Sequence, residues 1–329
     1  MSEPLENTTI KDSDKGHWVN RSPGAIQPYL QLSRLDRPIG YWLLTLPGWI
    51  GLSFAAISHG FAVSDLKWAA LILIGAIAMR GAGCTYNDIV DQDLDKQVER
   101  TALRPLPAGT VTNKQAWFWL GMQCLIGLMV LVCLPRFAQI IALCSLPLVA
   151  AYPFMKRITW WPQAWLGLTF NWAILVAYAA KTGDISLPAL ILYVGLIFWT
   201  IGYDTIYACQ DIEDDAVIGV KSTARRFGDK VVTGIAIAYS LSFLFVFAAF
   251  MTSLITTNIA AIVFFWAFFI FFPLGYGWHL KWQTQTLKTK GEETALMLFK
   301  SNFWAGLSLI AGFSLASYTL HGNIFKSFL

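Results

Sequence analysis

Residues 67–95 read KWAALILIGAIAMRGAGCTY followed at once by NDIVDQDLD, so that a twenty-residue apolar stretch delivers Asn87, Asp88, Asp91, Asp93 and Asp95 from its end. About 20 apolar residues are what a helix needs to cross the hydrocarbon of a bilayer. The stretch therefore predicts a membrane helix with polar chemistry at one mouth. Outward from it, eight further apolar stretches lie at 39–58, 115–134, 138–154, 163–180, 187–208, 231–251, 258–277 and 302–320. Hydrocarbon obliges each backbone group to bond within its own segment, so all nine read as helices. Charged residues make up 13% and hydrophobic ones 56% of the 329 residues, against about 25% charge in a water-soluble domain. The expected fold is an all-α, polytopic membrane protein of about nine transmembrane helices.

Positively charged short loops stay in the cytoplasm, which tests the nine-span reading independently. With the N-terminus inside, the outer segments hold only Lys67, Arg136, Lys181 and Lys326 of the 24 basic residues. The net charge of +4 thus reports topology and not nucleic-acid binding. This places the N-terminus in the cytoplasm and the C-terminus in the periplasm of a bacterial inner membrane. Residues 1–37 read as a cytoplasmic segment with an amphipathic interfacial stretch at Ile26–Arg37, and they lack a signal or transit pattern. Residues 38–329 form the membrane domain, with three longer inner loops at 87–114, 209–230 and 278–301. The five cysteines show no pairing pattern and the four histidines no ligand spacing, which excludes a disulfide framework and zinc chemistry.

Two inner segments about 120 residues apart carry similar chemistry. On a helix, residues three, four and seven apart share a face, which groups Asn87, Asp88, Asp91 and Asp95, and likewise Asp204, Tyr207, Asp211 and Asp215. Such carboxylates repel one another unless a cation intervenes, and their oxygens suit Mg²⁺, which itself favours phosphate oxygens. Asn87, Asp88, Asp91, Asp95, Asp211 and Asp215 are the candidate metal ligands, and a diphosphate the expected ligand. Asp93 and Glu213 point off these faces. Arg100, Arg104 and Lys221 are placed to stabilise charge on a departing diphosphate, so Asp88, Asp91, Asp211, Arg100 and Lys221 are the candidate catalytic residues. The recurrence suggests two related halves of four helices each, with a ninth added.

Asn87-Asp88-x-x-Asp91-x-x-x-Asp95 with Arg100-Thr-x-x-Arg104-Pro, and Asp204-x-x-Tyr207-Ala-x-x-Asp211-x-x-Asp214-Asp215, resemble the UbiA superfamily of intramembrane prenyltransferases over nearly all of residues 30–320. Neither acidic motif departs from the pattern. Arg34-Leu-Asp36-Arg37-Pro38-Ile39-Gly40, Tyr152-Pro-Phe-Met-Lys156-Arg157 and Gly219-Val-Lys221-Ser-Thr223 look like the 4-hydroxybenzoate polyprenyltransferases of ubiquinone biosynthesis. The resemblance implies a central cavity capped by the acidic loops, two Mg²⁺ ions bridging a polyprenyl diphosphate, and transfer of its prenyl group to position 3 of 4-hydroxybenzoate. It also leaves other acceptors open: homogentisate, a naphthoate, haem, chlorophyllide or a lipid headgroup.

Substrate-binding candidates follow from that chemistry. The aromatic carboxylate needs a cation, which Arg34, Arg80, Lys156 or Arg157 offers, while Lys156-Arg157 reads equally as a positive-inside pair. Arg104, Tyr152, Asp204 and Tyr207 complete the set, with Asp204 deepest in its span. Asn171 either polarises a substrate oxygen or bonds between helices. The run Phe264, Phe265, Phe268, Phe269, Phe271 and Phe272 either walls a prenyl channel or faces lipid. A transporter is the rival from another class, and it accounts less well for acids gathered at the cytoplasmic ends beside Arg and Lys.

Overall fold

A computed structural model describes residues 16–97, 99–217, 219–257 and 271–321, and among them the backbone is helical, with no strand. Short helix α1 (Gln27–Leu32) precedes α2 (Ile39–His59), α3 (Ser64–Asp95), α4 (Glu99–Ala102) and α5 (Asn113–Val132). Then come α6 (Arg136–Cys144), α7 (Leu146–Ile158), α8 (Pro162–Thr182), α9 (Leu187–Ala208), α10 (Ile212–Val217), α11 (Thr223–Phe227) and α12 (Val231–Thr257). The last two are α13 (Phe271–Lys290) and α14 (Ala295–His321).

Seven segments are long and apolar enough to cross a membrane: α2, α3, α5, α6 with α7, α9, α11 through α12, and α14. The multi-pass reading therefore holds, and the count of nine is approximate. The expected span 163–180 is the 21-residue α8, which Gln163, Asn171 and Lys181 make less apolar. The expected span 258–277 lies mostly outside the described residues, as does the phenylalanine run, of which only the backbone of Phe271 and Phe272 is described.

The three inner loops are more helical than expected. Helix α3 runs through the first acidic motif to Asp95, α10 and α11 occupy much of 209–230, and α13 and α14 leave only Gly291–Thr294 between them. Polar residues continue these helices because the backbone can extend past the membrane surface without losing a bond. The stretch 138–154 is broken at Ser145, where Pro147 enters the first turn of α7; proline lacks the N–H that a continuous helix would need there.

The chain divides into two compact units, residues 1–42 with 74–130 and residues 43–73 with 131–329. The first acidic motif lies in the first unit and the second in the second, but the division is not the four-plus-four arrangement suggested by the repeat. In the first unit Ser33 Oγ accepts from Trp119 Nε1 at 2.7 Å and Gln123 Nε2 at 2.6 Å, holding the segment after α1 to α5. In the second unit α9 packs most extensively on α12 and α8. There Lys181 Nζ, near the end of α8, meets Asp65 Oδ2, at the start of α3, at 2.6 Å.

Helices approach closely through small residues, as they do in lipid, where packing replaces the hydrophobic drive. A Cβ on Gly51 would lie 2.7 Å from the backbone oxygen of Ile174 in α8, a contact no side-chain rotation relieves. Gly51→Ala is therefore expected to lower the melting temperature in detergent, by an overpacking cost of about 1–3 kcal/mol. Gly121→Ala, where nothing lies within 4 Å of the added atom, is expected to leave it unchanged or raised.

Candidate active site

The first acidic motif occupies the last turns of α3, so Asn87, Asp88, Asp91 and Asp95 fall on one side as their spacing predicts. Asp88 is 0% and Asp91 1% exposed, whereas the Asp93 side chain stands 95% exposed beside Lys96. Burial of this kind requires countercharge. Arg34 Nη2 reaches both oxygens of Asp88, at 2.6 and 2.8 Å, and Arg34 Nη1 donates to Gln31 O at 3.0 Å. Arg104 Nη1 lies 2.8 Å from Asp95 Oδ2 and 3.5 Å from Asp88 Oδ1. Burial is the largest single effect and pulls the Arg34 guanidinium toward its neutral form, but the Asp88 carboxylate together with Cys84 and Asp36 outweighs it, and the pKa lies above the ordinary arginine value.

This arrangement revises several expectations. Both oxygens of Asp88 accept from arginine, so the residue is an ion-pair anchor here, and the lone pairs left on each oxygen keep it available as the expected metal ligand. Arg34 and Arg104, expected to bind substrate, also pair with the motif itself. Arg34 adopts φ 54°, the left-handed region, which costs a non-glycine residue roughly 1–2 kcal/mol; it ends α1 as a left-handed cap, with Arg34 N donating to Gln31 O at 2.9 Å and Leu35 N to Leu30 O at 3.1 Å. Arg80 packs beneath the start of α2, where a Cβ on Gly40 would come within 2.9 Å of its Nε. The backbone of Arg100 lies in α4, and its side chain is outside the described residues.

Sequence reasoning overlooked the role of Asp36 in this unit. It is 1% exposed, its oxygens accept no hydrogen bond, and Arg37 Nε stands 3.5 Å away. Its signal was a carboxylate between two arginines immediately before an apolar span. Gln123 was also missed: it joins Ser33 to Thr85, whose Oγ donates to it at 3.2 Å, and a glutamine within an apolar stretch was the visible clue.

In the second unit, α9 carries Asp204 and Tyr207 in its last turns. Trp199, Tyr203 and Phe299 form an aromatic ladder below them, with ring centres 5.3 Å apart for Trp199–Tyr203 and 5.7 Å for Tyr203–Phe299. Tyr207 lies 4.7 Å from Phe299. The expectation of one continuous helical face from Asp204 to Asp215 gives way here. A 3₁₀ turn at Cys209–Asp211 separates α9 from α10, and three residues per turn in place of 3.6 advances the register by roughly 60°. The side chains of Asp211 and Asp215 lie outside the described residues.

Tyr152, Lys156 and Arg157 sit in the last two turns of α7. Lys221 is brought to that helix: its backbone N donates to Lys156 O at 2.9 Å and its Nζ to Ile158 O at 3.1 Å. Asn171 is 1% exposed and spends its amide nitrogen on Gly167 O, Leu196 O and Thr200 Oγ, at 2.8, 3.0 and 2.8 Å. With its donor end bonded between α8 and α9, only its oxygen is left to meet a ligand, so it can accept but not polarise a substrate oxygen.

No group of three His, Cys, Asp or Glu side chains able to hold a metal ion occurs among the described residues. Asn87 and Asp91 nevertheless supply hard oxygen donors one turn apart. Mg²⁺ is commonly taken by one or two carboxylates together with phosphate oxygens and water, not by a full protein cage, so this donor set fits that ion.

The sequence pattern of the UbiA prenyltransferase family matches residues 44–307. The chain is 40% identical over 316 residues to the mitochondrial 4-hydroxybenzoate polyprenyltransferase of Arabidopsis thaliana, covering 94% of this chain and 73% of that protein. It is 42% identical over 313 residues to the mitochondrial 4-hydroxybenzoate polyprenyltransferase of Homo sapiens, covering 94% and 78%. Its fold matches that of a UbiA homolog from Archaeoglobus fulgidus bound to GPP and Mg²⁺, with a TM-score of 0.64 at 16% identity over 88% of this chain and 99% of that one.

Proposed function

The chain belongs to the UbiA prenyltransferase family, and from that premise we propose that it transfers a polyprenyl group from a polyprenyl diphosphate to position 3 of 4-hydroxybenzoate. The observation that carries the choice of acceptor is the 40–42% identity, over 94% of the chain, to relatives named for that reaction. The reaction serves ubiquinone biosynthesis. The distribution of basic residues supports an orientation with the N-terminus cytoplasmic and the C-terminus periplasmic in a bacterial inner membrane.

Mg²⁺, when bound, supplies Lewis-acid stabilisation of the leaving diphosphate. Asn87 and Asp91 of the first motif would supply oxygen donors to such an ion, with Asp95 as a further carboxylate beside Arg104, and Asp211 and Asp215 would do the same in the second motif. Arg100 and Arg104 stabilise the charge that the diphosphate gains as the allylic carbon–oxygen bond breaks and its electron pair leaves with oxygen. The apolar spans exclude water, which protects the allylic cation from hydrolysis. The hydroxyl of 4-hydroxybenzoate enriches the ring at its ortho carbon, which forms the new carbon–carbon bond and then releases its proton. The acceptor carboxylate takes its cation from Arg80 or, in the other unit, from Lys156 or Arg157, and Tyr152, Tyr207, Asp204 and the oxygen of Asn171 are the candidate polar contacts for substrate.

Purified protein given a labelled geranyl or longer diphosphate and 4-hydroxybenzoate is expected to form 3-prenyl-4-hydroxybenzoate with Mg²⁺ and none with EDTA. Diphosphate release without prenylated product would move the acceptor to another member of the family's range. No metal-dependent consumption of any donor would overturn the enzymatic reading in favour of transport.

A further inference from the structure

The C-terminal carbonyls of a helix have no partners within it, and a lysine nearby both bonds them and complements the helix dipole. Helix α7 ends with Met155, Lys156, Arg157 and Ile158 in this position. Thr159 N serves Met155 O at 2.9 Å, while two of the other carbonyls are served by one residue 63 positions later: Lys221 through its backbone N and its Nζ. The loop that delivers Lys221 is itself anchored. Gly219 turns at φ 74°, Thr223 N donates to Gln163 Oε1 at 3.0 Å, and the hydroxyls of Thr223 and Thr205 meet at 2.6 Å. Arg225 lies over Trp160 at 5.5 Å from the ring centre and Phe227 packs edge-on against Trp161.

We infer that Lys221 is a positioning residue, the cap that fixes the end of α7, and that through it the loop after the second acidic motif sets the geometry of Tyr152, Lys156 and Arg157. An ammonium bonded to Ile158 O keeps its charge and its other two N–H groups, so capping is a role beside the catalytic one expected from its neighbourhood. The inference rests on the proposed reading that the Tyr152–Arg157 segment belongs to the substrate site. It also explains why a basic residue and two hydroxyl residues follow the acidic motif: the lysine caps, and Ser222 starts α11 by accepting from Arg225 N at 3.3 Å.

Hydrogen exchange on the ligand-free full chain in detergent reads the cap directly, since no diphosphate is present to bind. Lys221→Ala is expected to speed exchange at residues 155–161, and Lys221→Arg, which keeps a donor in reach, is not; Lys221→Met, which keeps the length without a donor, replaces the alanine variant if that fails to fold. In steady-state assays Lys221→Ala is expected to raise, by about tenfold, the KM of whichever substrate Lys156→Gln weakens and to leave the other within about twofold. Unchanged exchange in Lys221→Ala overturns the cap. Faster exchange accompanied by loss of donor affinity alone, when Lys156→Gln affects only the acceptor, overturns positioning in favour of direct diphosphate contact. If Lys156→Gln moves neither KM, the assignment of the segment to the site fails and the positioning role falls with it, while exchange still decides the cap.

Discussion

Asp88→Asn is expected to destabilise the protein by about 3–5 kcal/mol, because it strips the countercharge from a buried arginine. The Arg34 side chain is 9% and the Asp88 side chain 1% exposed, so neither finds water when the other is neutralised. The measurement is the melting temperature in detergent of Asp88→Asn, Arg34→Gln and the double variant. Replacing both partners leaves neutral groups that need no countercharge, so the double variant is expected to be more stable than Asp88→Asn alone. If Asp88→Asn melts normally and only activity falls, Asp88 is a metal ligand after all, and the arginine pair is incidental.

Asp91→Asn and Asp211→Asn are expected to behave in the opposite way, with prenyl transfer falling by at least about a hundredfold at low Mg²⁺ and the melting temperature scarcely changing. Each removes a charged oxygen donor from one of the two acidic motifs, and carboxylates are what Mg²⁺ prefers when phosphate fills its other positions. Raising Mg²⁺ is expected to recover part of the lost rate. Near-normal turnover of either variant at low Mg²⁺ would rule that motif out as a metal site. Opposite outcomes for Asp88 and Asp91 would separate two uses within one motif, an ion-pair anchor and a metal donor.

The acidic motifs illustrate what a linear reading captures. Spacing of three and four placed Asn87, Asp88, Asp91 and Asp95 on one side of a helix, and α3 does carry them there. The same rule applied to Asp204–Asp215 met a 3₁₀ turn, which no residue in that stretch announces. Proline did announce the break before α7, at Pro147, although the apolar run 138–154 looked continuous.

Chain length, apolar periodicity and the placement of lysine and arginine were enough to determine that this is a multi-pass helical membrane protein, because the cost of leaving a backbone group unpaired in lipid admits few alternatives. The acidic residues likewise announced their chemistry, since carboxylates gathered at a membrane boundary need cations. Which cation each carboxylate meets was decided only in three dimensions. Arg34 is 54 residues from Asp88 and Lys221 is 63 from Ile158, and hydropathy and local spacing carry no information about pairings at such separations. They arise when packed helices bring distant segments together and each buried charge or terminal carbonyl takes the partner within reach.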